Sequence, residues 1–247
     1  MKILLIGAGN MGGAMLSGLD RYDVTVVEAY APRQRELREL YPNITLLESV
    51  PVLDGFVVIL AIKPQSLATL VTEGEAEAVI SILAGTALAK IEEKIQAKAY
   101  IRAMPNLAAL KRKSVTSVCG DEAFKEEALA LLSSIGKAIW LESEAQLDIA
   151  TGIGGSAPAW IALVAEALSD GAVNIGLPRD KSYAYVAALM EGMGALLEEE
   201  HPALIKDKVT SPGGTTIAGT AALEKGGVRY SFIEAVKVCY ERTKALQ

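Results

Sequence analysis

The first half of the chain alternates apolar runs with segments of helical period, and that alternation restricts the fold more than any other feature. Apolar runs at 3–6, 24–27, 56–62, 79–83 and 99–101 are dominated by Val, Ile and Leu. Strands that read as unbroken apolar runs are buried on both faces, as in a parallel sheet covered by crossover helices. The pattern stops near "LESEAQLD" (141–148). Beyond it no strand is legible, and the spacing of apolar residues predicts helices at 145–154, 158–175, 179–199, 213–224 and 230–245. A chain of 247 residues suits two unequal domains. The change of pattern places an α/β domain at 1–146 and an all-α domain at 147–247.

Several classes of partner are excluded by composition. The longest apolar string, "FVVILAI" (56–62), ends at Lys63, short of the ~20 residues of a membrane span, so no membrane partner is expected. "MKILLIGAGNMG" breaks into glycines without an Ala-x-Ala cleavage pattern and reads as a first strand rather than a signal peptide. Cys119 and Cys239 form no C-x-x-C pair, and His201 is the one histidine. Neither a disulfide framework nor a metal site is expected, which fits a reducing cytoplasm. A net charge of -6, with no basic run beyond "KRK" (111–113), argues against nucleic acid.

The first motif with chemical content is "GAGNMG" (7–12), which follows the first apolar run and opens a helix. Gly7 permits a tight turn, Gly9 lets a pyrophosphate approach the backbone, and Gly12 allows close helix–strand packing, with Asn10 and Met11 in the first helical turn. Glu28 ends the second run about 20 residues on, where an acid accepts from the hydroxyls of an adenosine ribose. Together these predict a Rossmann-type, doubly wound N-terminal domain using NADPH or NADH; a glycine turn in some other α/β fold is the alternative. Arg33 and Arg35 lie in reach of a 2′-phosphate or on a solvated helix face. "AIKPQ" (61–65) and "RAMPN" (102–106) also fall where strands end. They offer Ala61, Ile62, Lys63, Pro64 and Asn106 to the cofactor, or else a solvated lysine and an Asn that stabilises its own turn.

In the helical domain, "GGSAPAW" (154–160) leads into a helix whose apolar positions, among them Trp160, Ile161, Leu163, Val164 and Leu168, run almost all round. About 100 residues enclose too little volume to cover such helices, which predicts a second subunit. The stretch "VTSPGGTTIAG" (209–219) spends Pro212, Gly213 and Gly214 on a turn just before a helix start. The helix points its unpaired amides into that turn, building an anion cradle, and Ser211, Thr215 and Thr216 add hydroxyls suited to a carboxylate and a nearby polar nitrogen. An ordinary helix start capped by Thr is the plainer reading.

The chain resembles the pyrroline-5-carboxylate reductase family: "GAGNMG", "AIKPQ", "ISILAG", "RAMPN", "GGSAPAW", "DGAVNIGLPR" and "KVTSPGGTTIAG" occur in that family's order and span nearly the whole chain. The resemblance implies that Ser211 and the turn of Gly213, with the amides of Gly214, Thr215 and Thr216, hold a substrate carboxylate. It further implies that the Thr216 hydroxyl sits beside the ring nitrogen as the catalytic-site residue, and that Glu199 of "EEEHP" lies near the substrate ring. A homodimer or higher homo-oligomer through the C-terminal helices is implied as well. The chain departs from the family in "MPNLAALKRKS" (104–114), where the family has "MPNTPA", and in Glu28-Ala29, where it commonly has Asn-Arg.

The reaction so implied reduces the C=N bond of a small cyclic imine with NAD(P)H, giving L-proline. Such a reaction asks for orientation more than acid catalysis, which suits a chain whose lone His201, before Pro202, reads as a helix-start residue. A 3-hydroxyacid dehydrogenase is the alternative enzyme, but it needs a lysine in the first long helix, and none occurs between Gly152 and Gly176. A non-catalytic dinucleotide-binding dimer is the alternative outside enzymes.

Overall fold

The computed structural model describes residues 1–245. In chain order its first half contains β1 (Lys2–Ile6), α1 (Asn10–Leu16), β2 (Asp23–Val27), α2 (Ala31–Leu40), β3 (Thr45–Leu47) and β4 (Phe56–Leu60). There follow β5 (Ala78–Ser81), α3 (Leu88–Glu92), β6 (Tyr100–Met104), β7 (Ser114–Gly120), α4 (Lys125–Leu132), β8 (Gly136–Trp140) and α5 (Glu144–Thr151). Eight strands form one sheet in the order β3-β2-β1-β4-β5-β6-β7-β8, parallel throughout except for β6 against β7. The chain runs outward from β1 to β3 and then returns to lay β4 on the other side of β1. The order therefore reverses between β1 and β4, the point at which open α/β sheets bind ligands beyond their strand ends.

Strand alternation divides the apolar residues into two layers. Ile3, Leu5, Val57, Ile59 and Ile80 enter one buried cluster, and Leu4, Ile6, Val58, Leu60 and Val79 enter the other. Each such side chain contributes roughly 1.5–3 kcal/mol on burial, so both faces must be covered. All five strands predicted from apolar runs are present. The three that the pattern misses have physical reasons for being illegible. β3 is three residues long at one edge. β7 (SVTSVCG) is polar in composition, and its buried Ser114 and Thr116 bond each other at 3.1 Å. β8 is the opposite edge strand and no residue of it is fully buried.

A buried arginine ties α5 to this sheet. Arg102, in the middle of β6 and 1% exposed, pairs with Asp148 at 2.8 Å and Glu144 at 3.1 Å, while Glu144 also accepts from Leu88 N at the start of α3. Opposite Arg102 on β7, burial and then the Glu144 carboxylate push the Cys119 thiol up to about 11, leaving it a neutral packing group. α5 falls in the first compact unit, which spans 1–156 and the segment from Cys239, while the second spans 157–238; the predicted boundary lies at 146/147. The composition changes at 141–148, but α5 still packs on β6 and β7.

The second unit contains α6 (Ala157–Asn174), α7 (Arg179–Glu199), α8 (Pro202–Lys208), α9 (Thr215–Lys225) and most of α10 (Val228–Lys244). α8 is an addition to the predicted helices, and His201 caps it through Nδ1, which accepts from Ala203 N at 3.3 Å. α6 and α7 meet at two small buried residues, where Ser182 donates to Ser169 O at 3.0 Å. Among the described residues this unit has almost no core of its own: Ser169 alone is buried in α6, and no residue is buried in α9 or α10. Leu163, Tyr185, Tyr230 and Ile233 are each more than 60% exposed.

One continuous helical stretch, Glu144–Asn174, is long and apolar enough by length and composition to cross a membrane. This corrects the expectation of no such segment. A helix rich in Ala and Gly reaches that mean hydropathy without the long unbroken apolar string on which the expectation rests.

Arg102→Ala removes the cation that pairs with the buried Asp148 carboxylate and is expected to cost about 3–5 kcal/mol. Urea unfolding at fixed protein concentration checks this, with the loss read as a lower midpoint at constant slope.

Candidate active site

The glycine turn sits at the reversal of strand order. Gly7 leaves β1 at φ +91° and donates to Val27 O at 2.9 Å. A Cβ there would lie 2.9 Å from Ala61 O and 3.0 Å from Ile62 Cγ2, so the backbones leaving β1 and β4 touch with no room for a side chain. A Cβ on Gly12 would collide with Gly7 O. Gly9 is different: it is exposed, precedes α1 without a side-chain cap, and has nothing within 4 Å of its Cβ direction. Gly7 and Gly12 thus make the turn close, and Gly9 clears the space in front of it. Asn10 is exposed at the start of α1, whereas Met11 packs on the core beneath. The cradle fits a dinucleotide pyrophosphate, held on backbone amides.

Glu28 reaches this turn from the end of β2. Its carboxylate accepts from Ala8 N at 3.1 Å and from Tyr30 N at 2.9 Å. Buried Gln34 braces it from α2, donating to Glu28 O at 2.6 Å. Arg33 leaves the solvated helix face on which its spacing allows it to lie. Its Nε donates to Ala8 O at 2.7 Å, and its side chain is 22% exposed. On the other side of Gly7, Ala61 and Ile62 pack against the two apolar layers, while Lys63 and Pro64 are exposed. Beside Pro64 a cleft opens at the ends of β4 and β5, bordered by Gln65, Ala84, Gly85 and Thr86.

Asn106 is 8% exposed and its amide is committed within the protein. Oδ1 accepts from Ala108 N at 3.1 Å, and Nδ2 donates to Gly154 O at 2.8 Å. The turn-stabilising reading therefore describes this side chain better than direct contact with a cofactor. Asn106 holds the end of β6 against the 152–156 turn. Within the divergent 104–114 segment, Asn106 leads into a short 3₁₀ turn, Leu107–Lys111, closed by Arg112 at φ +53°.

The second motif lies in the other unit. Gly213 turns the chain at φ +70°, and Gly214 N donates to Ser211 O at 3.1 Å. A Cβ on Gly214 would lie 2.5 Å from Ser211 Oγ, so the serine hydroxyl points into the turn. The helix cap is Gly214 and not a threonine, and it makes no side-chain cap bond. That corrects the ordinary-cap reading: Thr215 and Thr216 are the first helical residues, and the first amides of α9 stay open to a ligand. Among the described residues the Thr215 and Thr216 hydroxyls, both exposed, donate no hydrogen bond within the chain. Glu199 ends α7 and borders a shallow groove on that helix with Leu189, Met193 and Leu196.

The structure thus gathers Gly7, Gly9, Asn10, Gly12, Glu28, Ala61 and Lys63 at one sheet edge, and Ser211, Gly213, Gly214, Thr215 and Thr216 at one helix start. It packs Met11 on the core, commits the Asn106 amide within the protein, and gives Arg33, a candidate for the 2′-phosphate in the sequence, a bond to Ala8. A charged residue with proline just before it reads equally well as solvated, so its spacing alone does not reveal the bond to Ala8.

These features define a nicotinamide-dinucleotide oxidoreductase with a helical partner unit. Residues 144–246 match the family described as pyrroline-5-carboxylate reductase dimerisation, and residues 2–85 the family described as NADP oxidoreductase, coenzyme F420-dependent. A pyrroline-5-carboxylate reductase of Synechocystis is 38% identical, covering 100% of this chain and 98% of that protein. That of Methanosarcina acetivorans is 35% identical, covering 99% and 97%. The solved structure of a Coxiella burnetii pyrroline-5-carboxylate reductase superposes with a TM-score of 0.88 at 28% identity, covering 99% of this chain and 98% of that one. The chain belongs to the pyrroline-5-carboxylate reductase family.

Gly9→Ala puts a methyl group into the cleared space and is expected to weaken NADH and NADPH binding at least about tenfold, or about 1.4 kcal/mol, with an unchanged melting temperature. Titration by cofactor fluorescence together with thermal melting checks both halves.

Proposed function

We propose that the chain reduces 1-pyrroline-5-carboxylate to L-proline with NADPH or NADH, the first unit holding the cofactor and the 211–216 turn holding the substrate. The observation that carries this reading is that turn. A helix start with open amides, a glycine at positive φ and an inward serine hydroxyl suit a carboxylate.

A bound reduced nicotinamide supplies the hydride. Ser211 and the amides of Gly214, Thr215 and Thr216 anchor the substrate carboxylate, and the Thr216 hydroxyl holds the ring nitrogen, with Glu199 near the ring. The imine nitrogen arrives protonated. Hydride adds to its carbon, the electron pair of the C=N bond moves to nitrogen, and no further proton is needed to form the ring amine. The residues thus act by orientation, which does not require a histidine or cysteine in the site.

The helical unit forms a homodimer in this reading. Its helices leave Leu163, Tyr185, Tyr230 and Ile233 uncovered in a single chain, and apolar faces of this extent are covered in soluble proteins by another copy. The same burial accounts for the apolar Glu144–Asn174 stretch without a membrane, since Glu144 and Asp148 at its start are paired with Arg102. Neither nucleic acid nor membrane is a partner, and a cytoplasmic setting accords with the free thiols Cys119 and Cys239.

Purified protein mixed with 1-pyrroline-5-carboxylate and NADPH or NADH should consume the reduced nicotinamide; no loss of its absorbance with either cofactor overturns the proposal. Thr216→Ala should lower kcat/KM about 5- to 150-fold, corresponding to roughly 1–3 kcal/mol of transition-state stabilisation, while the fold survives. Light scattering at low micromolar concentration should report a dimer or larger assembly, and a stable, active monomer would count against the proposed interface.

A further inference from the structure

One residue of the glycine turn, Ala8, is gripped from both sides by the connection between β2 and α2. Glu28 takes its N–H at 3.1 Å and Arg33 takes its carbonyl at 2.7 Å. Arg33 is held in turn: Nη1 pairs with Glu36 at 2.6 Å, and Nη2 lies against Gly13, where a Cβ would collide with it. The carboxyl end of β2 beside a glycine turn is where the adenosine ribose of a dinucleotide lies. Each Glu28 oxygen accepts one backbone amide, and a carboxylate oxygen has two lone pairs, so both can still accept from ribose hydroxyls.

Resting on the dinucleotide reading of this turn, we propose that Glu28 and Arg33 together read the ribose 2′ position, so that this chain selects NADH over NADPH. Glu28 accepts from a free 2′-hydroxyl and faces a 2′-phosphate with like charge. Arg33 is the nearby cation able to offset that repulsion, but its Nε and Nη1 are held by Ala8 O and Glu36, and the Glu36 carboxylate already meets its charge. Arg35 is exposed, and positions i and i+2 of a helix do not share a face, so it points away from Arg33. This chain therefore presents to the 2′ position an acid and a restrained cation.

Equilibrium dissociation constants for NADH and NADPH, measured by cofactor fluorescence or calorimetry without substrate, test this independently of turnover. The wild-type chain should bind NADH at least about tenfold more tightly. Glu28→Gln keeps the shape and an acceptor for Ala8 N but removes the charge, and should move the ratio toward NADPH by about tenfold, equal to about 1.4 kcal/mol. Glu36→Gln, on the exposed side of α2, frees Arg33 and should tighten NADPH several-fold more than NADH. Glu39→Gln, which removes a charge from the same helix without touching Glu28 or Arg33, should leave the ratio in place. NADPH binding as tight as NADH in the wild type, or an unchanged ratio in Glu28→Gln, overturns the inference while leaving the dinucleotide site standing. Binding of neither cofactor overturns both.

Discussion

The contact on which the first unit depends is backbone against backbone, where the exit of β1 passes the exit of β4. The strand order reverses there, so the two connections diverge and leave a crevice between them. The crevice exists only if the chains leaving the strands come close enough that Gly7 has no space for a Cβ beside Ala61. Once that contact is made, α1 starts at the sheet edge with its amides facing outward, and Glu28, arriving on the neighbouring strand, meets the same turn. Core packing, the cofactor cradle and the side chains that discriminate among cofactors are therefore set by one local approach. Two apolar layers on either side of β1 and β4 hold it in place.

The second unit follows the opposite logic. Its helices are apolar, yet many of their large residues stay exposed within one chain, and its buried positions among the described residues are Ser169, Ser182, Val186 and Ile205. Such a unit has little core of its own, and in the proposed homodimer a second copy covers its apolar faces. The turn at 211–216 has no core beneath it and is shaped locally, by Gly213 and the Ser211–Gly214 bond.

Legibility in the sequence varied with how strongly each element imposes its own pattern. Central strands such as β1 and β4 are buried on both faces and announce themselves as unbroken apolar runs. β7 does not, because Ser114 and Thr116 satisfy each other inside the fold, a pairing invisible in a linear chain. Arg102 in "YIRAM" is a charge in an apolar strand and signals that some acid must meet it, but Asp148 lies 46 residues away. The spacing of Asn106 left two roles open, and its bonds to Ala108 N and Gly154 O decided for the structural one.

What the sequence by itself determined is the alternation that makes a parallel sheet, the glycine spacing that makes the turn, the helical period of the C-terminal part and the turn chemistry of 211–216. All of these arise from interactions within a few residues or from periodicity along one element. Only the tertiary structure decided that Gly214 rather than a threonine caps α9, that the compact units divide at 156/157, and that Arg33 bends back to Ala8 instead of facing water. Those outcomes depend on which partners long-range packing brings within hydrogen-bonding distance. A flexible arginine or a buried carboxylate takes the environment it finds, and the local sequence does not specify that environment.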